Sequence, residues 1–62
     1  MYEVVEFYVQ PASGDAIKYR DEDQARREAK RLGRRRGPVM LFMVRGWPRY
    51  DLWREPRLLA CY

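Results

Sequence analysis

The feature that most constrains this chain is an unbroken apolar run, Val39 to Val44, which reads Val-Met-Leu-Phe-Met-Val. Six apolar residues are far too few to span a membrane, and they leave no polar face. Such a run is typical of a central β-strand that is buried on both faces. Gly37 and Pro38 precede it and interrupt any structure that arrives from upstream. We therefore expect the fold to be built around this strand.

The length allows one hydrophobic core, so we expect a single domain over residues 1–62. Hydrophobic residues at 47% and aromatic residues at 15% are too many for a disordered chain. One cysteine rules out an internal disulfide framework, and the acidic start of the chain is unlike a signal peptide. These features predict a soluble protein in the reducing cytoplasm, without membrane association.

Two strands and a helix are predicted before the apolar run. Residues 2–10 alternate in polarity, residues 11–15 are rich in turn formers, and residues 16–19 form a short second strand. Asp21 has the character of an N-cap, with Gln24 three residues later. The helix is expected from Glu22 to Leu32, and Gly33 is expected to end it. Residues 34–38 are then interpreted as a connector.

After the run, residues 46–49 are predicted to form a turn that leads into a strand over residues 50–53. This strand resumes over residues 57–61, because Pro56 interrupts its hydrogen bonding. The order β-β-α-β-β predicts a two-layer α+β fold, with one helix packed on a mainly antiparallel sheet of three or four strands. The pattern leaves the strand order open.

The predicted helix has an apolar side and a basic side. Ala25, Ala29 and Leu32 share the side that faces the sheet. The pairs Glu22 with Arg26 and Asp23 with Arg27 have the spacing of surface ion pairs, and they explain only part of the positive charge. Residues 24–37 carry seven basic residues and one acidic residue, or +6, in a chain whose net charge is +4.

This concentration of charge predicts contact with nucleic acid or with a nucleoprotein complex, chiefly through phosphates. An equally simple interpretation is that the arginines are a solvated helix face, enriched by the base composition of the genome. The candidate nucleic-acid-binding residues are Arg26, Arg27, Lys30, Arg31, Arg34, Arg35 and Arg36.

The nine aromatic residues exceed what one alanine-lined helix can cover. Strand alternation sends Tyr2, Val4 and Tyr8 to the other face of the sheet. The apolar run adds either its odd-numbered residues 39, 41 and 43 or its even-numbered residues 40, 42 and 44. An apolar patch of this kind usually has a partner. A second copy of the chain, another protein, the C-terminal segment or stacked bases all remain open.

The alternative function is a protein-binding inhibitor or adaptor of the kind carried by phages and mobile elements. It rests on a group rich in the residue types of interface hot spots. This group, the turn cluster, comprises Arg45, Trp47, Arg49, Tyr50 and Trp53. Without histidine, and with Cys61 as the single cysteine, the chain lacks the usual catalytic pairs and zinc ligand sets. We therefore expect no enzymatic activity, metal or cofactor.

Overall fold

A computed structural model describes residues 2–62. Strand β1 (Val4–Pro11) and strand β2 (Ile17–Tyr19) precede helix α1 (Glu22–Arg36). Strand β3 (Val39–Trp47), a 3-10 turn (Pro48–Tyr50), strand β4 (Leu52–Trp53) and strand β5 (Arg57–Cys61) follow. The order β-β-α-β-β and the packing of one helix on an antiparallel sheet confirm the predicted α+β fold.

The sheet has the order β2-β1-β3, and β4 and β5 both pair with β3. All pairs are antiparallel, and Tyr8 of β1 lies opposite Phe42 of β3. The sheet has five strands where three or four were expected, because the last predicted strand is divided into two. Pro56 lies between them, as predicted, and a bulge in the β3–β5 register adds a second irregularity.

The core lies between α1 and one face of the sheet, which we call the covered face. Val9, Leu41 and Val39 are fully buried there. Ala25 and Ala29 of the helix are also fully buried, and Leu32 packs against the cluster, which confirms the predicted apolar side. Alanine permits a close approach of helix and sheet, so strand side chains provide most of the buried apolar volume.

Strand β3 is central, as the apolar run predicts, but its two faces differ. Its odd-numbered residues Val39 and Leu41 are fully buried, whereas Met40 is 37% exposed. Phe42 and Val44 are only partly buried. The expectation of burial on both faces is therefore wrong: the helix covers one face, and the even-numbered side chains lie on the other, which we call the open face.

The predicted end of the helix is also wrong. Asp21 caps its start, accepting a hydrogen bond from the Gln24 backbone N–H at 3.1 Å, as expected. The helix then continues through Gly33 and ends at Arg36, so residues 34–36 are its last turn and not a connector. A Cβ at Gly33 would lie 2.9 Å from the Tyr62 Cβ. Glycine here permits the approach of the C-terminal residue and does not end the helix.

Boundaries elsewhere shift by smaller amounts. Strand β1 begins at Val4 and extends to Pro11, and β2 is limited to three residues. Strand β3 runs three residues beyond the apolar run to Trp47, so Gly46 and Trp47 belong to the sheet and not to a turn. At Gly46, a Cβ would collide with the carbonyl oxygen of Leu52, so glycine lets β4 pair closely with β3.

Candidate functional site

The helix brings most of its basic residues to one side. At 3.6 residues per turn, Arg27, Arg31 and Arg35 follow one row, and Lys30 and Arg34 lie in the neighbouring row. The row from Arg27 to Arg35 is about 12 Å long, at 1.5 Å per residue. Arg36, at the last helical position, lies about half a turn around the helix from Arg27, on the side of Ala25 and Ala29. The structure thus places five of the seven predicted residues on one side of the helix.

Two of the seven predicted residues are engaged within the protein. Arg26 donates to Glu22 at 2.8 Å and to the Tyr62 hydroxyl at 3.3 Å. Arg31 donates to Glu28 at 2.7 Å. Hydrogen bonding to these carboxylates raises the pKa of both guanidinium groups. The first pair was predicted from its spacing. The Asp23–Arg27 pair is not among the ion pairs of residues 2–62.

The other five cations make no ion pair in the part of the chain that the structure describes. We call them the basic helix surface: Arg27, Lys30, Arg34, Arg35 and Arg36. All are exposed, and Lys30 lies 5.9 Å from the centre of the Tyr62 ring. Three belong to the last turn, where the helix dipole favours cations. Unpaired guanidinium groups on a rigid helix are suited to contact with a polyanion.

The turn cluster is divided by the sheet. Arg45 and Trp47 lie on the same side as the helix. There Arg45 Nε lies 3.7 Å from Glu3 Oε1, and the guanidinium carbon of Arg54 lies 5.5 Å from the centre of the Trp47 ring. Trp53 lies on the open face, opposite Gly46 in the register. Arg49 and Tyr50 are exposed in the 3-10 turn between β3 and β4. The structure does not bring the five residues into one continuous surface.

A groove of about 500 Å³ lies on the open face. Glu6, Tyr8 and Gln10 of β1 line one side of it, together with Ala16. Its other side is apolar. Phe42, Val44, Trp53 and Pro56 line that side.

The polar side of the groove is organised around Glu6, which is only 8% exposed. Its carboxylate accepts a hydrogen bond from the Tyr8 hydroxyl at 3.2 Å and pairs with Lys18 Nζ at 3.4 Å. Burial raises the pKa of Tyr8, and the hydrogen bond to Glu6 raises it further. Glu6, Gln10 and Lys18 are not among the site residues predicted from the sequence. The available signal was an acid between Val4 and Tyr8 in the alternation of β1, on the face predicted to be uncovered.

The groove and the basic helix surface lie on opposite sides of the molecule, because α1 packs on one face of the sheet and the groove occupies the other. The principal extents of the molecule are 39, 20 and 16 Å. One straight ligand therefore cannot lie along both surfaces. A single nucleic-acid strand could contact both the helix cations and the aromatic residues of the sheet only if it wrapped around the molecule.

Within residues 2–62, no group of three or more histidine, cysteine or acidic side chains is placed to hold a metal ion. None of the described helices is both long enough and apolar enough to cross a membrane. Comparisons with protein-family models, curated proteins and solved structures find no match to this chain.

Proposed function

We propose that this protein is a small non-enzymatic binding module that contacts nucleic acid, alone or in a nucleoprotein complex, through the basic helix surface. The observation that carries the proposal is the set of five exposed cations without ion-pair partners among the described residues. Their carrier is a helix whose other side is fixed in the core by Ala25 and Ala29. Association through phosphates releases counterions and requires little rearrangement of such a surface.

The chemistry of the surface favours phosphates over bases. The chain has no asparagine, and its two glutamines, Gln10 and Gln24, are not part of the basic helix surface. That surface therefore has no side chain of the type that reads adenine, and only arginine or lysine to read guanine. Arginine forks bind phosphate oxygens in pairs without regard to sequence. We therefore expect contacts mainly with phosphates, and any base preference to be for guanine. The reducing cytoplasm is the proposed location, since the exposed Cys61 is a free thiol.

The test is a titration of labelled double-stranded and single-stranded oligonucleotides over a series of salt concentrations. With about five phosphate contacts, log affinity should fall against log salt with a slope of about −4.5 on a duplex. Replacing Arg34, Arg35 and Arg36 with glutamine should reduce the slope by roughly three units or slightly less. A slope near zero would refute phosphate contact by this helix.

A matched control removes the same charge elsewhere. Arg20, Arg49 and Arg57 are exposed and lie outside the helix. Their replacement with glutamine also lowers the formal net charge by three, from +4 to +1. If both triple variants weaken binding equally, net charge alone explains the affinity and the helix has no special role.

A second candidate, the protein-binding inhibitor or adaptor of a phage or mobile element, is favoured by exposed apolar residues beside the 3-10 turn. Tyr50 is 49% exposed and Leu52 is 58% exposed, with Arg49 next to them. Tyrosine and arginine suit an interface anchor, although Trp47 is engaged by Arg54. A pull-down with and without nuclease separates the candidates. A partner that survives nuclease and is lost in Tyr50→Ala supports this one, whereas loss on nuclease treatment supports the first.

A further inference from the structure

We propose that the groove on the open face is a binding site for a small organic ammonium ligand with an apolar body. Its cationic head would lie against Glu6, and its body would lie against Phe42 and Trp53. This site is separate from the proposed nucleic-acid surface, which lies on the other side of the sheet.

The volume and the lining match this ligand class. Small-molecule sites are concave, mostly apolar, and between about 300 and 1,000 Å³, with a few polar groups that orient the ligand. At about 500 Å³ the groove is within this range. Its polar groups belong to β1, whereas its apolar wall comes from β3, β4 and Pro56. A ligand with one polar end and one apolar end fits this division.

Glu6 is the reason why the ligand is expected to be positively charged. A carboxylate that is 8% exposed attracts a cation more strongly than a surface carboxylate does, because water screens it less. The protein itself places an ammonium there: Lys18 Nζ lies 3.4 Å from Glu6 Oε2. The Lys18 side chain is 51% exposed and comes from the short edge strand β2, so a ligand can displace it into water.

The aromatic rings add a second attraction for a cation. Tyr8, Phe42 and Trp53 all line the groove, and ring faces attract ammonium groups. Among the described residues, the cation–ring contacts are Lys30 with Tyr62 and Arg54 with Trp47. The groove rings thus have no cation of the protein over them. Gln10 directs its amide N–H groups to Pro11 and Gly14, which leaves its amide oxygen as a further acceptor.

Charge also decides against nucleic acid in this groove. Single-stranded nucleic acid needs cations beside the stacking rings, to follow its phosphates. Lys18 is already paired with Glu6, and the five cations of the basic helix surface lie on the opposite side of the sheet. A buried carboxylate among the rings would repel phosphates.

The experiment is an NMR titration of the ¹⁵N-labelled full chain with 2-phenylethylammonium and with its neutral counterpart, 2-phenylethanol. We expect the ammonium to bind about tenfold more tightly, a difference of about 1.4 kcal/mol, with shifts centred on Tyr8, Phe42 and the Trp53 indole N–H. Glu6→Gln should bring the two affinities within about threefold of each other. Glu28→Gln, which removes a helix carboxylate on the other side of the sheet, should leave the preference unchanged.

Lys18→Met gives a second measurement, independent of whether Glu6→Gln folds. Removal of the internal ammonium should tighten binding of 2-phenylethylammonium several-fold and leave 2-phenylethanol unaffected. Equal affinity of the two probes for the wild-type chain would overturn the proposal, and so would weaker ammonium binding to Lys18→Met. Groove shifts that depend on protein concentration and resist the probe would overturn it in favour of a second copy as the occupant.

Discussion

The two faces of this sheet bury their apolar side chains to different extents, as neighbouring residues of β3 show. Leu41 is fully buried against α1, whereas Phe42, the next residue, lies in a groove that solvent reaches. The covered face is closed by two alanines and a leucine of the helix. The open face carries Tyr8, Phe42 and Trp53 and has no second layer within residues 2–62. Apolar character alone therefore does not distinguish a face that is closed in the core from one that solvent reaches, because the difference lies in the element that covers it.

Alanine substitutions at Leu41 and Phe42 test this difference between the two faces, and they have the largest expected effect. We expect Leu41→Ala to cost about 3 kcal/mol of unfolding free energy, since it leaves a cavity in the core that α1 covers. Phe42→Ala should cost roughly half of that or less, because water already reaches the ring. Urea denaturation measures both, with an osmolyte added if Leu41→Ala is too unstable in buffer. Equal losses would show that both faces contribute equally to stability.

A smaller effect on stability is expected at Gly33, on the covered side of the sheet. Alanine is the better helix former by about 1 kcal/mol, so Gly33→Ala should stabilise a free helix. Here the added Cβ would lie 2.9 Å from the Tyr62 Cβ and 3.0 Å from its backbone carbonyl carbon. We expect a net loss of about 1 kcal/mol, measured by thermal unfolding.

The control for this prediction is the same substitution in a chain without Tyr62. There the obstacle is absent, and Gly33→Ala should become stabilising. If alanine stabilises the full chain as well, the approach of Tyr62 does not explain the glycine.

The smallest expected effect concerns pH and the open face. Burial and Glu6 raise the pKa of Tyr8 in the folded state, so above pH about 10 the unfolded chain releases this proton first. Stability should therefore fall as pH rises from about 10 through the folded-state pKa. Tyr8→Phe should make this decline shallower, as seen in urea midpoints at a series of alkaline pH values.

Tyr19 is the matched residue beside the core. Burial raises its pKa too, with Glu28 as the next cause, so Tyr19→Phe should also make the decline shallower. The two variants differ in their dependence on Glu6. Glu6→Gln should reduce the effect of Tyr8→Phe and leave that of Tyr19→Phe unchanged. An alkaline profile of Tyr8→Phe identical to that of the wild type would contradict the role of Tyr8.

Local chemistry was sufficient to predict much of the fold. Four features follow from residues that are close in the sequence, and the structure confirms each of them. They are the alternation of β1, the cap at Asp21, the apolar side of α1 and the interruption at Pro56. The end of the helix did not follow, because the reason for Gly33 is Tyr62, a residue distant in the sequence. The pairing of β1 with β3 likewise depends on long-range contacts that the pattern left open.

The candidate sites were predictable only in part. The positive charge of the helix is visible in the sequence, but which arginines remain unpaired depends on rotamers and on Glu28 and Tyr62. The groove joins β1 to residues of β3 and β4 that lie more than thirty positions away. Glu6 was visible as an acid in an apolar row, yet its pairing with Lys18 required the register of the first hairpin.

The central position of β3 has a further consequence, for aggregation. An uncharged apolar hexapeptide without proline, such as residues 39–44, is the type of segment that forms steric zippers. Here β1 occupies one edge of it and β5 the other, so its backbone is not offered to another chain. One outer edge of the sheet is the three-residue strand β2. The other edge consists of β4 and β5, which Pro56 separates, and a bulge interrupts the pairing of β5 with β3. Both edges are poor templates for a further strand. Shielding of this hexapeptide against fibril formation therefore depends on the five-residue strand β5 remaining in place.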